Sequence, residues 1–293
     1  MARAAVPQYL GDDFEDASPG ARFGLYFAGW LDDWSQDKSG KTAALERVVK
    51  LSGDCRQRLE ALGSRQAALA AAQGESLLTL TAVSTAPFVT GTGMEHPLEN
   101  GFAFLNPYGL PYLPGSSIKG VLRRAAQDMA GVGTGYACPN PAGWTADDID
   151  ALFGRETDSG DTDTVRTRGA LRFWDVLPQP AGHALGIDVM TPHYAGYYQG
   201  RNAPADCESP NPIPFLVVPQ GSRFVFHVVC DPHRLPEPAR LRWRALLEAA
   251  FAHAFDWLGF GARTRVGYGQ LGVDPAAARS EERRVGKECL RLC

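Results

Sequence analysis

No stretch of this sequence approaches the roughly 18 consecutive apolar residues that a membrane-spanning helix needs, so no membrane partner is expected. The opening residues (MARAAVPQYLGDDFEDASPG) lack the apolar h-region of a secretory signal, and a cytoplasmic location is expected. Cysteine is scarce and scattered. Cys55, Cys138, Cys207, Cys230, Cys289 and Cys293 form no CxxC pair, and no Cys/His spacing matches a zinc site. That pattern excludes a disulfide scaffold or a zinc finger and fits isolated thiols in a reducing compartment; no metal or other cofactor is expected. Positive charge is also short. Twenty-nine Lys and Arg face 33 Asp and Glu, for a net charge of −4 and a pI near 5.9. Such a balance excludes a protein that coats nucleic acid by bulk electrostatics, so contact with a polyanion has to come from local basic clusters.

What is present is the composition of a globular protein, 44% hydrophobic and 21% charged over 293 residues. The charges are segregated. Residues 147–163 hold Asp147, Asp148, Asp150, Glu156, Asp158, Asp161 and Asp163 against Arg155 alone. Residues 113–127 hold Lys119, Arg123 and Arg124 with no acid, and 259–272 hold Arg263 and Arg265 with none.

The first 40 residues read as irregular, with Tyr26, Phe27, Trp30 and Trp34 clustered as a docking surface or core. Leu45, Val48, Val49, Leu59, Leu62 and Leu69 fall near helical spacing and predict helix over 42–72, broken at Ser52–Gly53. Leu77–Val83 (LLTLTAV) alternates and predicts a strand, and Phe102–Leu105 another short extended piece. Ile118, Leu122, Ala125 and Met129 predict one apolar face of a helix over 116–129. Residues 131–169 read as a loop-rich insertion around a short helix at 147–153, followed by a strand at 170–176. Ile187–Pro214 reads as a long irregular stretch, and 215–218 and 223–229 as strands paired around Pro219–Ser222. Helix is predicted over 238–258, stopping at Gly259, with 266–273 extended. This order of strands and helices suggests an α+β sandwich of the ferredoxin or RRM kind.

Three segments look like binding sites. In Pro114–Arg124 (PGSSIKGVLRR), Pro-Gly stops the preceding strand and Ser116 or Ser117 supplies an N-cap oxygen. A helix start of this kind favours a phosphate, and Lys119 and Arg123 extend the site along one face. An ordinary capped amphipathic helix with a solvated basic face accounts for the same residues equally well. The GxxxxGK[ST] spacing of a Walker loop is absent. In Gly259–Gly272 (GFGARTRVGYGQLG), five glycines surround Arg263, Arg265 and Tyr268, which offer phosphate contacts and a stacking plane; a strand packed tightly on a helix is the alternative. In Asp188–Phe215, His193, Tyr194, Tyr197, Tyr198 and Arg201 form an aromatic and basic group of the sort on which single-stranded RNA bases stack, or which anchors a long loop to a core.

Taken in order, these segments resemble the RAMP superfamily of CRISPR-associated proteins. The likeness rests on the strand and Gly/Thr turn at 77–93, on LPYLPGSSIKGVLRRA, and on GFGARTRVGYGQ after a C-terminal helix. The block DVMTPHYAGYYQG and the later PADCESPNPIPFLVV are further similar to the sixth-subunit family of type III-B (Cmr) effector complexes, so the likeness spans about residues 77–275. It implies a ferredoxin-like core with a β-hairpin thumb and a Gly-rich loop inserted in it. It also implies a non-catalytic, RNA-binding role in a ribonucleoprotein for antiviral defence, capping the backbone filament near the 3′ end of a guide RNA for target RNA recognition. The implied partners are guide and target RNA, other RAMP subunits and the small subunit of the complex. Carried over residue by residue, the RNA contacts are Gly115, Ser116, Ser117, Lys119, Arg123 and Arg124, then Arg263, Arg265 and Tyr268, with thumb residues His193, Tyr197, Tyr198 and Arg201.

Related backbone subunits carry a carboxylate after the first strand for metal-dependent target cleavage. The corresponding loop, Thr90–Asn100 (TGTGMEHPLEN), has Glu95, His96 and Glu99 but no Asp. A cutting subunit is therefore the alternative reading, and a guide-processing endoribonuclease based on His96 or His193 a further one. Three regions are expected: an irregular and helical extension over 1–76, the RAMP domain over 77–278 with insertions at about 131–169 and 187–214, and a tail. That tail, Arg279–Cys293 (RSEERRVGKECLRLC), changes composition abruptly and reads as non-native or disordered.

Overall fold

The computed structural model describes residues 3–11, 13–133, 138–155, 167–191, 200, 203 and 212–274. In chain order the helices are α1 (Pro19–Phe23), α2 (Lys41–Val49), α3 (Gly53–Ala71), α4 (Gly115–Ala130), α5 (Ala146–Phe153) and α6 (Glu237–His253). The strands are β1 (Leu77–Ser84), β2 (Phe104–Leu105), β3 (Leu110–Pro111), β4 (Leu171–Phe173), β5 (Gly186–Met190), β6 (Ile213–Val217), β7 (Arg223–Cys230) and β8 (Leu271–Val273). Contacts group the chain into two compact units, each built from separate stretches. One comprises Met1–Glu60, Val89–Pro111 and Pro180–Pro219; the other comprises Ala61–Phe88, Tyr112–Gln179 and Gln220–Cys293. The N-terminal residues thus share a unit with two later segments, a grouping different from the sequential division expected at residue 76.

The second unit carries a four-stranded antiparallel sheet in the order β4-β7-β1-β8. Taken with their helices, β1-α4-β4 and β7-α6-β8 are two β-α-β halves, and the strand order is that of a ferredoxin-like fold. Alternation fixes which face is buried. Leu78, Ala82, Phe224, Phe226 and Val228 are buried and share one face by the observed register. Against Phe226 pack Phe251 at 5.3 Å and Phe260 at 5.2 Å between ring centroids, which ties the end of α6 to the sheet. The predicted stripe of α4 (Ile118, Leu122, Ala125, Met129) is buried, as are Leu247, Ala250, Phe251 and Ala254 in and just after α6. The expected helix at 147–153 is α5, started by a reciprocal Thr145–Asp148 capping box.

In the first unit, α1 is capped by Ser18, whose hydroxyl accepts from the Ala21 amide at 3.3 Å. The buried guanidinium of Arg22 donates to the Arg47 carbonyl at 2.6 Å and to the Lys50 carbonyl, closing the end of α2. Sequence periodicity is too short to reveal α1, but it locates α2, α3 and the break between them. Phe14 and Tyr26 stack at 4.2 Å, and Phe27 is buried.

Three expectations are corrected. Residues 187–190, read as irregular, form β5 together with Gly186, and β5 pairs with β6 from Gly186↔Val217 to Met190↔Ile213. The segments around Pro219–Ser222 are therefore not a hairpin: β6 joins β5, and β7 joins β1 and β4. The Gly221 amide donates to the Ser84 carbonyl at 2.8 Å, which fixes the entry to β7 against β1. Likewise 266–273 is extended only over β8, because Thr264–Val266 makes a 3-10 turn.

Candidate nucleic-acid interface

β1 and β4 run parallel to each other with β7 between them, and β4 ends at Phe173, level with Leu78 near the start of β1. The start of α4 lies over the end of β4. The Gly-rich loop lies at the end of β1, where Ser84 pairs with Leu271 and the Thr85 amide donates to the Gln270 carbonyl at 2.9 Å. Two of the three predicted segments thus lie against the same sheet, on strands two spacings (about 10 Å) apart and offset along the strands by the six residues, roughly 20 Å, from Leu78 to Ser84.

The start of α4 differs from expectation in its cap. Pro114 is the N-cap residue, and neither Ser116 nor Ser117 caps the helix; both are exposed on its first turn. The Gly115 amide instead donates to the Asp175 carboxylate at 2.7 Å. A carboxylate therefore already holds the position in which an anion is favoured by the helix dipole. Gly115 is needed for close approach: a Cβ there would lie 2.3 Å from the Phe173 carbonyl oxygen. Gly120 is the opposite case, exposed, with nothing within 4 Å of where its Cβ would be.

The basic residues of α4 divide by role. Arg123 is partly buried and donates to the Gly154 carbonyl at 2.8 Å, fastening α4 to the end of α5. Arg124 pairs with Asp128 at 2.8 Å while half of its side chain stays in solvent. Among the described residues Lys119 makes no ion pair or hydrogen bond, and it is the cation of this helix best placed to meet an outside anion.

The Gly-rich loop is a fixed turn. Helix α6 ends in a π-helical turn at Ala254–Leu258, closed by the Gly259 amide on the Ala254 carbonyl at 2.8 Å. Gly259 and Gly269 both take positive φ, and a Cβ on Gly269 would fall 1.8 Å from the Phe260 oxygen. The Phe260 amide donates to the Gly269 carbonyl at 2.9 Å, and the Gly269 amide to the Pro87 carbonyl at 2.8 Å. Arg263 sits in the left-handed region at φ 60°, a conformation that costs an arginine about 1–2 kcal/mol. Its carbonyl accepts from Val266 at 3.1 Å and from Tyr268 at 3.4 Å. Arg265 is exposed and Tyr268 partly buried.

The third segment belongs to the inserted β5–β6 pair, between whose strands it runs. His193, Tyr197, Tyr198 and Arg201 lie outside the described residues.

The Thr90–Asn100 loop does not assemble the carboxylate–His–carboxylate group considered from sequence. His96 stacks on Phe23 at 3.7 Å and lies edge-on to Phe27. Its Nε2 bonds the Phe23 carbonyl at 2.9 Å and its Nδ1 accepts from the Leu98 amide at 3.1 Å, which defines a neutral Nε2–H tautomer. Burial pushes its pKa down, the Phe23 bond partly opposing. Glu99 is held by Lys41 at 2.7 Å, and Glu95 is exposed. Among the described residues no three His, Cys, Asp or Glu side chains gather as a metal site.

Two features escaped the sequence. Asp175 lies 60 residues from the amide it accepts. Trp257 is 76% exposed although it follows buried Ala250 by seven residues and buried Ala254 by three, the spacing of an apolar stripe.

The geometry defines a ferredoxin-like protein with basic, glycine-bearing segments against its sheet, and a model of the RAMP superfamily matches residues 81–272. The chain belongs to the RAMP superfamily. It is similar to the CRISPR system Cmr subunit Cmr6 of Pyrococcus furiosus, 29% identical over 225 residues, covering 62% of this chain and 64% of that protein. It is also similar to the Cmr6 subunit of Saccharolobus solfataricus, 29% identical over 132 residues, 44% of this chain and 37% of that one. The chain thus spans less than two thirds of the length of these curated relatives. Its fold is shared with a chain in the cryo-EM structure of a type III-B Cmr-beta complex bound to cognate target RNA, with a TM-score of 0.58, 20% identity, and coverage of 84% of this chain and 77% of that one. No helix among the described residues is long and apolar enough to cross a membrane.

Proposed function

We propose that this chain is a non-catalytic, RNA-binding subunit of a type III-B CRISPR ribonucleoprotein. It binds guide RNA near the 3′ end and closes the backbone filament beside other RAMP subunits and the small subunit. The observation that carries this reading is that one ferredoxin-like unit bears two acid-free basic segments, the start of α4 with Lys119 and the Arg263–Arg265 loop, in a chain whose net charge is negative. Attraction for RNA is then confined to these local segments, one of them a turn held rigid by its own backbone. Similarity to the Cmr6 proteins supports the assignment to a type III-B complex.

The test is a salt titration of guide-RNA binding by the purified chain and of its co-purification with RAMP partners. Lys119→Ala with Arg265→Ala lowers affinity and flattens the dependence of log K on log salt by about one unit or more. An unchanged slope and affinity in the double variant sink the proposal. Arg123 is left out of this pair because its bond to Gly154 makes its loss a stability effect.

The non-catalytic part of the reading is supported by His96, whose ring nitrogens are both committed to the backbone, and by Glu99, which is held by Lys41. Complexes carrying Glu95→Ala or Glu99→Ala are expected to cut target RNA at every site the parent cuts. Loss of one cleavage site would make the chain a cutting subunit.

A further inference from the structure

The Gly-rich loop leaves one large aromatic side chain unexplained. In the π-helical turn that ends α6, Phe255 is buried against Phe226, Phe251 and Phe260, whereas Trp257 is 76% exposed. A tryptophan that far from the core gives up the largest apolar burial any residue offers, and the fold gains nothing from it. The turn is the reason for its position. Its i→i+5 closure, Gly259 amide to Ala254 carbonyl, inserts a residue into the helical phase and carries Asp256 and Trp257 out from the stripe that continues through Ala254 and Phe255.

The surroundings of Trp257 are those of a strand-tracking site. Two residues on, Gly259 turns the chain, and the space a side chain there would fill is taken by Thr264 and the backbone of Tyr268 and Gly269. The 3-10 turn that carries exposed Arg265 and Val266 is thereby folded back toward the end of the π turn. No acid occurs from 259 to 272; the acid nearest in sequence is Asp256, also exposed, and Asp274 is 3.8 Å from Arg223. An exposed indole and, eight residues on, an exposed guanidinium, on a loop whose glycines fix its path, supply the two groups that an unpaired nucleobase and its phosphate require. A protein interface is a poorer fit. One ring and the Val266 isopropyl fall far short of the roughly 800 Å² per partner of a stable protein contact.

We infer that Trp257 is a stacking platform for a base of single-stranded RNA, with Arg265 holding the adjacent phosphate. The inference rests on the RNA-binding reading above and adds to it a base contact, independent of the phosphate contacts that reading uses. Because a π-face is common to all four bases, the contact is indifferent to sequence, as a guide of changing sequence demands.

The experiment is a fluorescence-anisotropy titration of the full chain with a fluorescein-labelled oligouridylate of about twelve nucleotides. Trp257→Ala is expected to weaken binding about tenfold to a hundredfold, with the salt slope unchanged because no phosphate contact is lost. Trp257→Phe keeps affinity within about threefold, since a phenyl ring still stacks. Both variants keep the thermal midpoint of the parent, as expected for a side chain outside the core. If the parent binds the oligonucleotide and Trp257→Ala binds equally well, the stacking role is wrong and the RNA-binding reading stands. A parent chain that binds no RNA removes both. If Trp257→Ala binds RNA normally but no longer co-purifies with RAMP partners, the ring belongs to a protein interface and the inference is overturned.

Discussion

Helix α4 contains two glycines five residues apart for which the structure dictates opposite outcomes of the same substitution. At Gly115 a methyl group would lie 2.3 Å from the Phe173 carbonyl oxygen and 2.9 Å from its carbon. Those are backbone atoms of the chain leaving β4, so the helix start has to move to restore van der Waals contact. Overpacking of this kind costs about 1–3 kcal/mol, and the movement also stretches the 2.7 Å bond from the Gly115 amide to Asp175. Alanine recovers at most ~1 kcal/mol of helix propensity, less at a first-turn position. Gly115→Ala is therefore expected to destabilise by about 1–2 kcal/mol, lowering the thermal midpoint by roughly 2–8 °C. Gly120 lies in the same helix with open space around it, so Gly120→Ala takes the propensity gain alone and raises the midpoint by a few degrees. The assay is thermal unfolding of both variants, followed by circular dichroism. Equal shifts of the same sign would refute the close approach at the start of α4. Gly120→Ala carries a second measurement. If it is more stable yet weaker in RNA binding, something outside the chain approaches that glycine.

Three further outcomes follow from the described contacts. Burial lowers the pKa of His227 and of His96 below the usual 6.5, so each stays neutral when folded and protonates more readily when unfolded. Their contribution is complete above that value and is lost as pH falls through it; the midpoint is expected to drop between about pH 7.5 and pH 5.5, and less in His227→Gln, while an identical drop would contradict the assignment. Arg123→Ala removes the bond to the Gly154 carbonyl and is expected to cost about 1–3 kcal/mol in chemical denaturation, whereas Lys119→Ala changes stability by less than about 0.5 kcal/mol. Burial pushes the Cys230 thiol up to about 12, so iodoacetamide mapped by mass spectrometry should modify it only after unfolding; modification of the native chain would show that β7 opens.

The parts of this fold that were legible in the sequence are those set by neighbours along the chain. The face of α4, the alternation of β1 and the stop at Gly259 of the helical run that begins with α6 all follow from local periodicity or from one turn residue. What was not legible depends on partners far away. Nothing in GIDVM announces a strand until IPFLV pairs with it, and Pro219–Ser222 resembles a hairpin turn although its flanking strands belong to different sheets. The same holds for the site. Ser116 and Ser117 are the natural caps by sequence, but Asp175 arrives from the end of β4 to take the amide. Glu95, His96 and Glu99 look like a catalytic group on paper. Phe23 and Lys41, from the other end of the unit's sequence, turn two of them into anchors.

The register of the central strand pair has a consequence for how the protein is made. Leu77 pairs with Val229, so β1 leaves the ribosome long before the strand that completes it. At ordinary elongation rates the roughly 150 intervening residues take about 10–30 s to synthesise. During that interval LLTLTAV is an unpaired, apolar edge with nowhere native to go. Nascent chains of this protein should therefore depend on holding chaperones until β7 emerges, and slowing translation between β1 and β7 should lower the yield of folded protein more than slowing it after β8.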